Sequence, residues 1–118
     1  AELKAVIAVA KDAGQATKVI FENCYLNNDQ KIRLCKISSD LGAEWVKTST
    51  GYGTHGATVA DLKLMVENTP DTVQVKAAGG IRDLDTLLSF REISPRITRC
   101  GASATQAILD ECRERLAR

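Results

Sequence analysis

The stretch that decides the fold is VQVKAAGGIRDL, residues 73–84. Its first part is rich in β-branched residues and predicts a strand over residues 73–77. A glycine turn follows, and Asp83 then suits the start of a helix, because its carboxylate can accept free N–H groups of the first helical turn. Strand, glycine turn and helix in this order predict one βα unit.

The same order recurs along the whole chain. Strands are predicted over residues 17–23, 45–48, 73–77 and 97–100, so that they begin 24–28 residues apart. The first helix is predicted over residues 2–13, and the later ones are predicted to start at side-chain caps. These caps are Asn27 with Gln30, Thr58 with Asp61, Asp83, and Ser103 with Gln106. Such regular alternation is typical of parallel strands joined by helices. No linker interrupts it, so residues 1–118 are predicted to form one domain.

Composition excludes several function classes. The chain has 16 basic and 15 acidic residues and a net charge of +1, which argues against nucleic-acid and membrane partners. The N-terminal residues lack the pattern of a signal peptide. Four cysteines occur without a CxxC pair, beside a single histidine, which argues against a zinc site. We expect a cytoplasmic protein with reduced thiols.

The two faces of the predicted strands differ, because alternate residues of a strand point to opposite sides. One face is apolar. The other carries Lys18, Glu22, Lys47, Gln74 and Lys76. A doubly wound sheet would be apolar on both faces, whereas a polar inner face suits a (β/α)8 barrel, whose active sites lie at the C-terminal strand ends. A closed barrel needs about 250 residues. We therefore predict an α/β fold that is half of a (β/α)8 TIM barrel, with four parallel strands and helices on one face.

Lys47 and Lys76 occupy equivalent places near the ends of consecutive strands. Neighbouring strands lie roughly 5 Å apart. Like charge and burial both favour the neutral amine, which can attack a carbonyl and form a Schiff base. The competing interpretation is that both are solvated surface lysines, as most lysines are. Lysine is, however, depleted from strand interiors.

Two loops follow strands and open helices, over residues 78–82 and 101–103. Glycine lets backbone N–H groups approach an anion closely, and a helix N-terminus adds a favourable dipole. In barrels, phosphate commonly binds to the loops after strands seven and eight. The alternative is that these glycines only make tight turns.

Four segments together resemble deoxyribose-phosphate aldolase. They are KVIFE at 18–22, KTSTG at 47–51, KAAGGIR at 76–82 and GAS at 101–103. The resemblance covers essentially the whole chain and matches the C-terminal half of that family's barrel. It implies a class I, Schiff-base lyase that cleaves 2-deoxyribose 5-phosphate reversibly to acetaldehyde and glyceraldehyde 3-phosphate, without a metal or another cofactor.

The resemblance also implies roles for individual residues. Lys47 matches the Schiff-base lysine, Lys76 the second lysine that favours the neutral form of the first, and Lys18 a further active-site lysine. The residues that match phosphate-binding backbone are Gly51, Gly79, Gly80, Gly101, Ala102 and Ser103. The family's proton-relay aspartate lies in the other half of the barrel and has no counterpart here. Glu22 with a water could take its place.

A half-barrel has two open sheet edges and an uncovered inner face, which association would cover. We expect a homodimer that closes one eight-stranded barrel, or pairing with a complementary N-terminal half. The expected substrate is a sugar phosphate or an aldehyde. Two alternatives stay open: a non-enzymatic, self-associating half-barrel fragment, and a phosphate or sugar-phosphate binding module.

Overall fold

The structure is a computed structural model that describes residues 1–118. Five helices and four strands alternate, with a short 3₁₀ turn after the first strand. In chain order they are α1 Glu2–Asp12, β1 Lys18–Ile20, the 3₁₀ turn Asn23–Tyr25, α2 Asn28–Asp40, β2 Trp45–Lys47, α3 Val59–Glu67, β3 Gln74–Ala78, α4 Leu84–Glu92, β4 Arg99–Gly101 and α5 Thr105–Leu116. No helix combines the length and the apolar character needed to cross a membrane.

The four strands form one parallel sheet in the order β1-β2-β3-β4. The predicted fold, four βα units that make half of a TIM barrel, is confirmed. The register places Ile20, Lys47, Lys76 and Arg99 in one row across the sheet. Because the strands are parallel, the loops that follow them all leave the same end of the sheet.

The helices cover one face of this sheet. Val19, Val46, Val75 and Ala77 point into that side and belong to a core of 16 buried residues. The other face, which we call the concave face, carries the row of Lys47, Lys76 and Arg99 and the row of Lys18, Trp45 and Gln74. Ile20 on this face is 44% exposed. The predicted division into an apolar and a lysine-bearing face is therefore confirmed.

Three of the four predicted helix caps are present. Asn27 and Gln30 form a reciprocal capping box, and the side chains of Thr58 and Asp83 each accept an N–H of the next turn. The cap at Ser103 is wrong. Helix α5 follows Ala104, whose side chain cannot accept a hydrogen bond. The Ser103 side chain instead lies at the open strand end, where the loop after β4 continues before the helix begins.

Strands β2 and β3 lie within one residue of their predicted bounds, whereas β1 and β4 differ more. Strand β1 ends at Ile20, because the chain turns at Glu22 and enters the 3₁₀ turn. Strand β4 begins at Arg99, two residues late, because Ile97 donates its N–H to Ser94 in a turn. Ile97 is buried in the core. A buried β-branched residue just before a strand looks like part of that strand in the sequence.

The N-terminal ends of the strands are closed by side chains that bond the backbone. The Arg96 guanidinium donates to the carbonyls of Val66, Pro70 and Val73 and to the Thr69 hydroxyl. Glu44, which precedes β2, accepts the N–H of Thr17 at 2.7 Å and its hydroxyl at 3.1 Å. These bonds join the turns at this end of the sheet to one another.

Candidate functional site

The C-terminal ends of β2, β3 and β4 surround an open cavity of about 450 Å³. The wall of this cavity is made by Lys47, Thr50, Gly51, Tyr52, Ala78, Gly79, Gly80, Ile81, Arg82, Gly101, Ala102 and Ser103. The fold thus brings together Lys47 and all six residues that the resemblance matched to phosphate binding. Lys76 and Lys18 lie outside this wall.

Lys47 and Lys76 are direct neighbours across the β2–β3 pair, and both are half-buried. The Lys76 side chain runs past Gly101, where an added Cβ would lie 3.4 Å from Lys76 Cε and 3.8 Å from Nζ. Gly101 is part of the cavity wall, so the Lys76 amine lies next to that wall. The two amines therefore share one region of the concave face.

Lys18 joins the same group of positive charges from the exposed strand β1. Partial burial, and then the charges of Lys76, Arg99 and Lys47, lower the pKa of Lys18 below its ordinary value of 10.5. Four cations thus lie on one face, without a neutralising carboxylate among the strands. Such a concentration of positive charge suits an anionic ligand.

Trp45 was expected on this face from strand alternation, whereas Arg99 was not. The Lys18 Nζ lies 5.5 Å from the centre of the Trp45 ring, and the Arg99 guanidinium carbon lies 4.5 Å from it. Arg99 and Trp45 come from strands two apart, so their contact depends on the sheet. The predicted strand began at Ile97, a buried residue that would share a face with Arg99, so alternation could have placed Arg99 here only with β4 beginning at Arg99.

The glycine loops have backbone conformations that other residues rarely adopt. Gly79 and Gly80 follow β3 with φ of 85° and 75°, and Gly51 follows β2 with φ of 98°. Gly56 packs so closely on Gly79 that a Cβ on Gly56 would overlap the Gly79 carbonyl. The N–H of Ala57 also donates to the carbonyls of Ala78 and Gly79. The loops after β2 and β3 therefore form one joined surface.

Arg82 adds a guanidinium to this surface, two residues before α4. A cation, the start of a helix and glycine backbone together favour binding of a phosphate group. Arg82 lies inside the KAAGGIR segment, but it was not selected as a site residue. A basic residue two positions after the Gly79–Gly80 pair was the signal that could have identified it. Thr50 and Tyr52, also in the cavity wall, carried no such signal.

Glu22 faces the loop after β2. Both of its carboxylate oxygens accept the N–H of Thr50, at 3.3 Å, and Oε2 also accepts the Thr50 hydroxyl. Cys24 lies next to it, with its Sγ 3.9 Å from Glu22 Oε1. The carboxylate is thus already occupied by protein donors.

Metal-binding groups do not gather in the structure. No three His, Cys, Asp or Glu side chains lie close enough to hold an ion together. All four cysteines are free thiols, and burial raises the pKa of Cys35 to about 11. His55 is exposed in the loop after β2, where its Nδ1 lies 2.9 Å from the Gly56 carbonyl.

Four parallel βα units, with lysines beside glycine loops at the C-terminal strand ends, define half of a (β/α)8 TIM barrel. No protein-family model matches the chain. The deoxyribose-phosphate aldolase of Rhodopirellula baltica is 55% identical over 115 residues, which are 98% of this chain and 47% of that protein. The chain is therefore homologous to deoxyribose-phosphate aldolases, and it spans about half the length of the curated relatives it matches.

Solved structures agree with this relationship. QR15, an aldolase, is 34% identical with a TM-score of 0.86, over 98% of this chain and 51% of that one. The deoxyribose phosphate aldolase from Aeropyrum pernix, described as a tetramer, is 27% identical with a TM-score of 0.82. That match covers 95% of this chain and 47% of the Aeropyrum chain.

Proposed function

We propose that this chain is the imine-forming half of a deoxyribose-phosphate aldolase-type lyase. The observation that carries the proposal is the pairing of Lys47 with Lys76 at the cavity formed by the glycine loops. The identity with named aldolases over nearly the whole chain supports it. The substrate in this proposal is 2-deoxyribose 5-phosphate.

The amine of Lys47 would attack the aldehyde carbon of the open-chain sugar. Loss of water gives an imine, which can accept the electron pair of the breaking C2–C3 bond as the proton of the 3-hydroxyl leaves. Glyceraldehyde 3-phosphate departs, the resulting enamine is protonated, and water releases acetaldehyde.

The phosphate end of the sugar would bind on the joined glycine surface. The N–H groups of Gly80, Ala102 and Ser103 are the proposed donors, and Arg82 supplies a counter-charge. Lys47 shares a wall with these groups, so one substrate could reach the amine and the phosphate site together.

Proton transfer needs a further group, and we propose that it comes from four additional βα units. The concave face of this chain is uncovered, and β1 and β4 are open edges. Helix α1 also presents an apolar surface, on which Val6 is 60% and Val9 71% exposed. A second copy or a complementary N-terminal half would cover these surfaces. Sedimentation of the purified chain tests association, and a stable monomer at micromolar concentration would exclude the homodimer.

Borohydride reduction in the presence of 2-deoxyribose 5-phosphate or acetaldehyde tests the chemistry. We expect a mass increase that peptide analysis maps to Lys47. Lys76→Leu should slow trapping, because it removes the amine that neighbours Lys47 across the β2–β3 pair. Lys36→Leu is the matched control, since Lys36 lies on the exposed side of α2 and pairs with Asp40. Modification that maps to another lysine would contradict the assignment.

The second candidate function is a sugar-phosphate binding module without turnover. It is favoured by the cavity wall, which holds the proposed anion-binding groups while the family's relay aspartate has no counterpart here. Phosphate binding measured by calorimetry, together with an absence of trapped imine, would select this alternative. Trapping at Lys47 would select the lyase.

A further inference from the structure

Glu22 has the most unusual backbone conformation of any residue with a side chain. It is the only non-glycine residue with positive φ, at 53°. Glutamate rarely adopts this left-handed conformation, which costs free energy and persists where the surroundings require it. Here it turns the carboxylate away from β1 and toward the loop after β2.

That loop is fitted closely around the carboxylate. Thr50 donates both its N–H and its hydroxyl to Glu22. Further along, a Cβ on Gly53 would lie 3.0 Å from Glu22 Oε1 and would overlap the Cys24 sulfur. Only glycine can therefore approach at position 53 without moving its neighbours.

The same loop supplies three of the cavity-wall residues, Thr50, Gly51 and Tyr52. Its far end is fixed to β3 by the N–H of Ala57. Its near end is fixed by Glu22. The Thr50 hydroxyl also accepts the N–H of Tyr52 at 3.2 Å, so Thr50 links Glu22 to Tyr52. The Glu22 carboxylate thus holds the Thr50 end of this wall.

We propose that Glu22 is a positioning residue that holds the Thr50–Tyr52 wall and thereby sets the affinity for the phosphate-bearing substrate. It acts through Thr50 and does not transfer protons, so it does not replace the relay aspartate. The substrate in this inference rests on the proposed function, whereas the effect on the loop does not.

Two substitutions of Glu22 and one of Thr50 separate a positioning role of Glu22 from proton transfer by its carboxylate. Glu22→Gln keeps the length, so its oxygen can accept the Thr50 N–H and its amide can donate to the Thr50 hydroxyl, but it cannot carry a proton. Glu22→Asn tolerates positive φ and is too short to reach Thr50. Thr50→Val removes the hydroxyl while Glu22 stays. Glu44→Asn is the matched control, since Glu44 makes the same pair of bonds to Thr17 at the other end of the sheet.

The first readout is hydrogen exchange of the amides at residues 50–53. We expect faster exchange in Glu22→Asn and Thr50→Val, little change in Glu22→Gln, and none at these amides in Glu44→Asn. The second readout is the concentration for half-maximal borohydride trapping. With 2-deoxyribose 5-phosphate it should rise about tenfold in Glu22→Asn, as loss of charge-assisted bonds predicts. With acetaldehyde, which lacks a phosphate, it should stay unchanged.

Equal loss of trapping in Glu22→Gln and Glu22→Asn, with both aldehydes, would show proton transfer and overturn the inference. Unchanged exchange in both Glu22→Asn and Thr50→Val would overturn it as well. If the parent chain traps neither aldehyde, the proposed lyase function fails, and the exchange measurement alone still decides the role of Glu22.

Discussion

The two ends of the sheet each contain a glutamate that binds a threonine, and they use it differently. At the N-terminal end, hydrogen bonds from Thr17 lower the pKa of Glu44, and neither residue has a positive φ. At the C-terminal end, Glu22 adopts a strained conformation to hold a loop that borders a cavity. One pair connects neighbouring strand starts, and the other shapes an open site.

The difference extends to the surrounding groups. Arg96 at the N-terminal end is largely buried and its donors are used on backbone carbonyls. Lys47 and Arg82 at the C-terminal end line the cavity without forming an ion pair. In a parallel βα sheet, the residues at one end can therefore stabilise the fold, while polar groups at the other end stay available for ligands. The following predictions test this separation.

The largest effect is expected at Lys47. Lys47→Leu should reduce trapped imine by at least ~100-fold, because the nucleophile is gone. The urea midpoint should not fall, since the substitution removes one of several mutually repelling cations. Mass spectrometry after borohydride and urea denaturation measure the two quantities. A marked loss of stability would contradict the separation of the two ends.

Arg96→Met should show the opposite pattern. It removes the guanidinium donor from four acceptors at the N-terminal end, and we expect a loss of about 3 kcal/mol in the free energy of unfolding. Imine formation per folded molecule should be unchanged. Urea denaturation with trapping at low urea provides both values. A loss below about 1 kcal/mol would mean that water replaces these hydrogen bonds easily.

Two glycines allow a matched comparison of the ends. Gly14 lies before β1 and Gly80 after β3; their φ angles are 68° and 75°, and an added Cβ meets no atom within 4 Å at either place. Alanine at either position should cost a similar ~1–2 kcal/mol, because the backbone is strained. Only Gly80→Ala should weaken phosphate binding, which calorimetry measures. Equal phosphate affinity in both variants would exclude Gly80 from the anion site.

The smallest effect concerns Lys18 and pH. Its pKa is lower in the folded chain than the ordinary 10.5. The folded state therefore binds fewer protons in the window just below 10.5, so stability rises with pH there and is lost as pH falls through the folded-state pKa. Lys18→Met should flatten this rise and slightly stabilise the chain at neutral pH. Urea midpoints between pH 7 and about 10.5 test it, with Lys36→Met as the control.

Local sequence patterns were sufficient for much of the fold. Alternation predicted the apolar and lysine-bearing faces, and the caps at Asn27, Thr58 and Asp83 were readable because a cap involves residues only three apart. The neighbouring positions of Lys47 and Lys76 also followed from the regular spacing of the βα units. The roles of the nine predicted site residues stay predictions, although the structure places seven of them in one cavity wall.

The sequence by itself determined the order of elements, the polarity of each strand face and the lysine pair, because these depend on local patterns and on the regular spacing of the βα units. Only the tertiary structure decided the end of β1, the contact of Arg99 with Trp45, and the hydrogen bonds from Thr50 to Glu22. Glu22 and Thr50 are 28 residues apart. Their meeting depends on strand register and on the path of two loops, which no local pattern encodes.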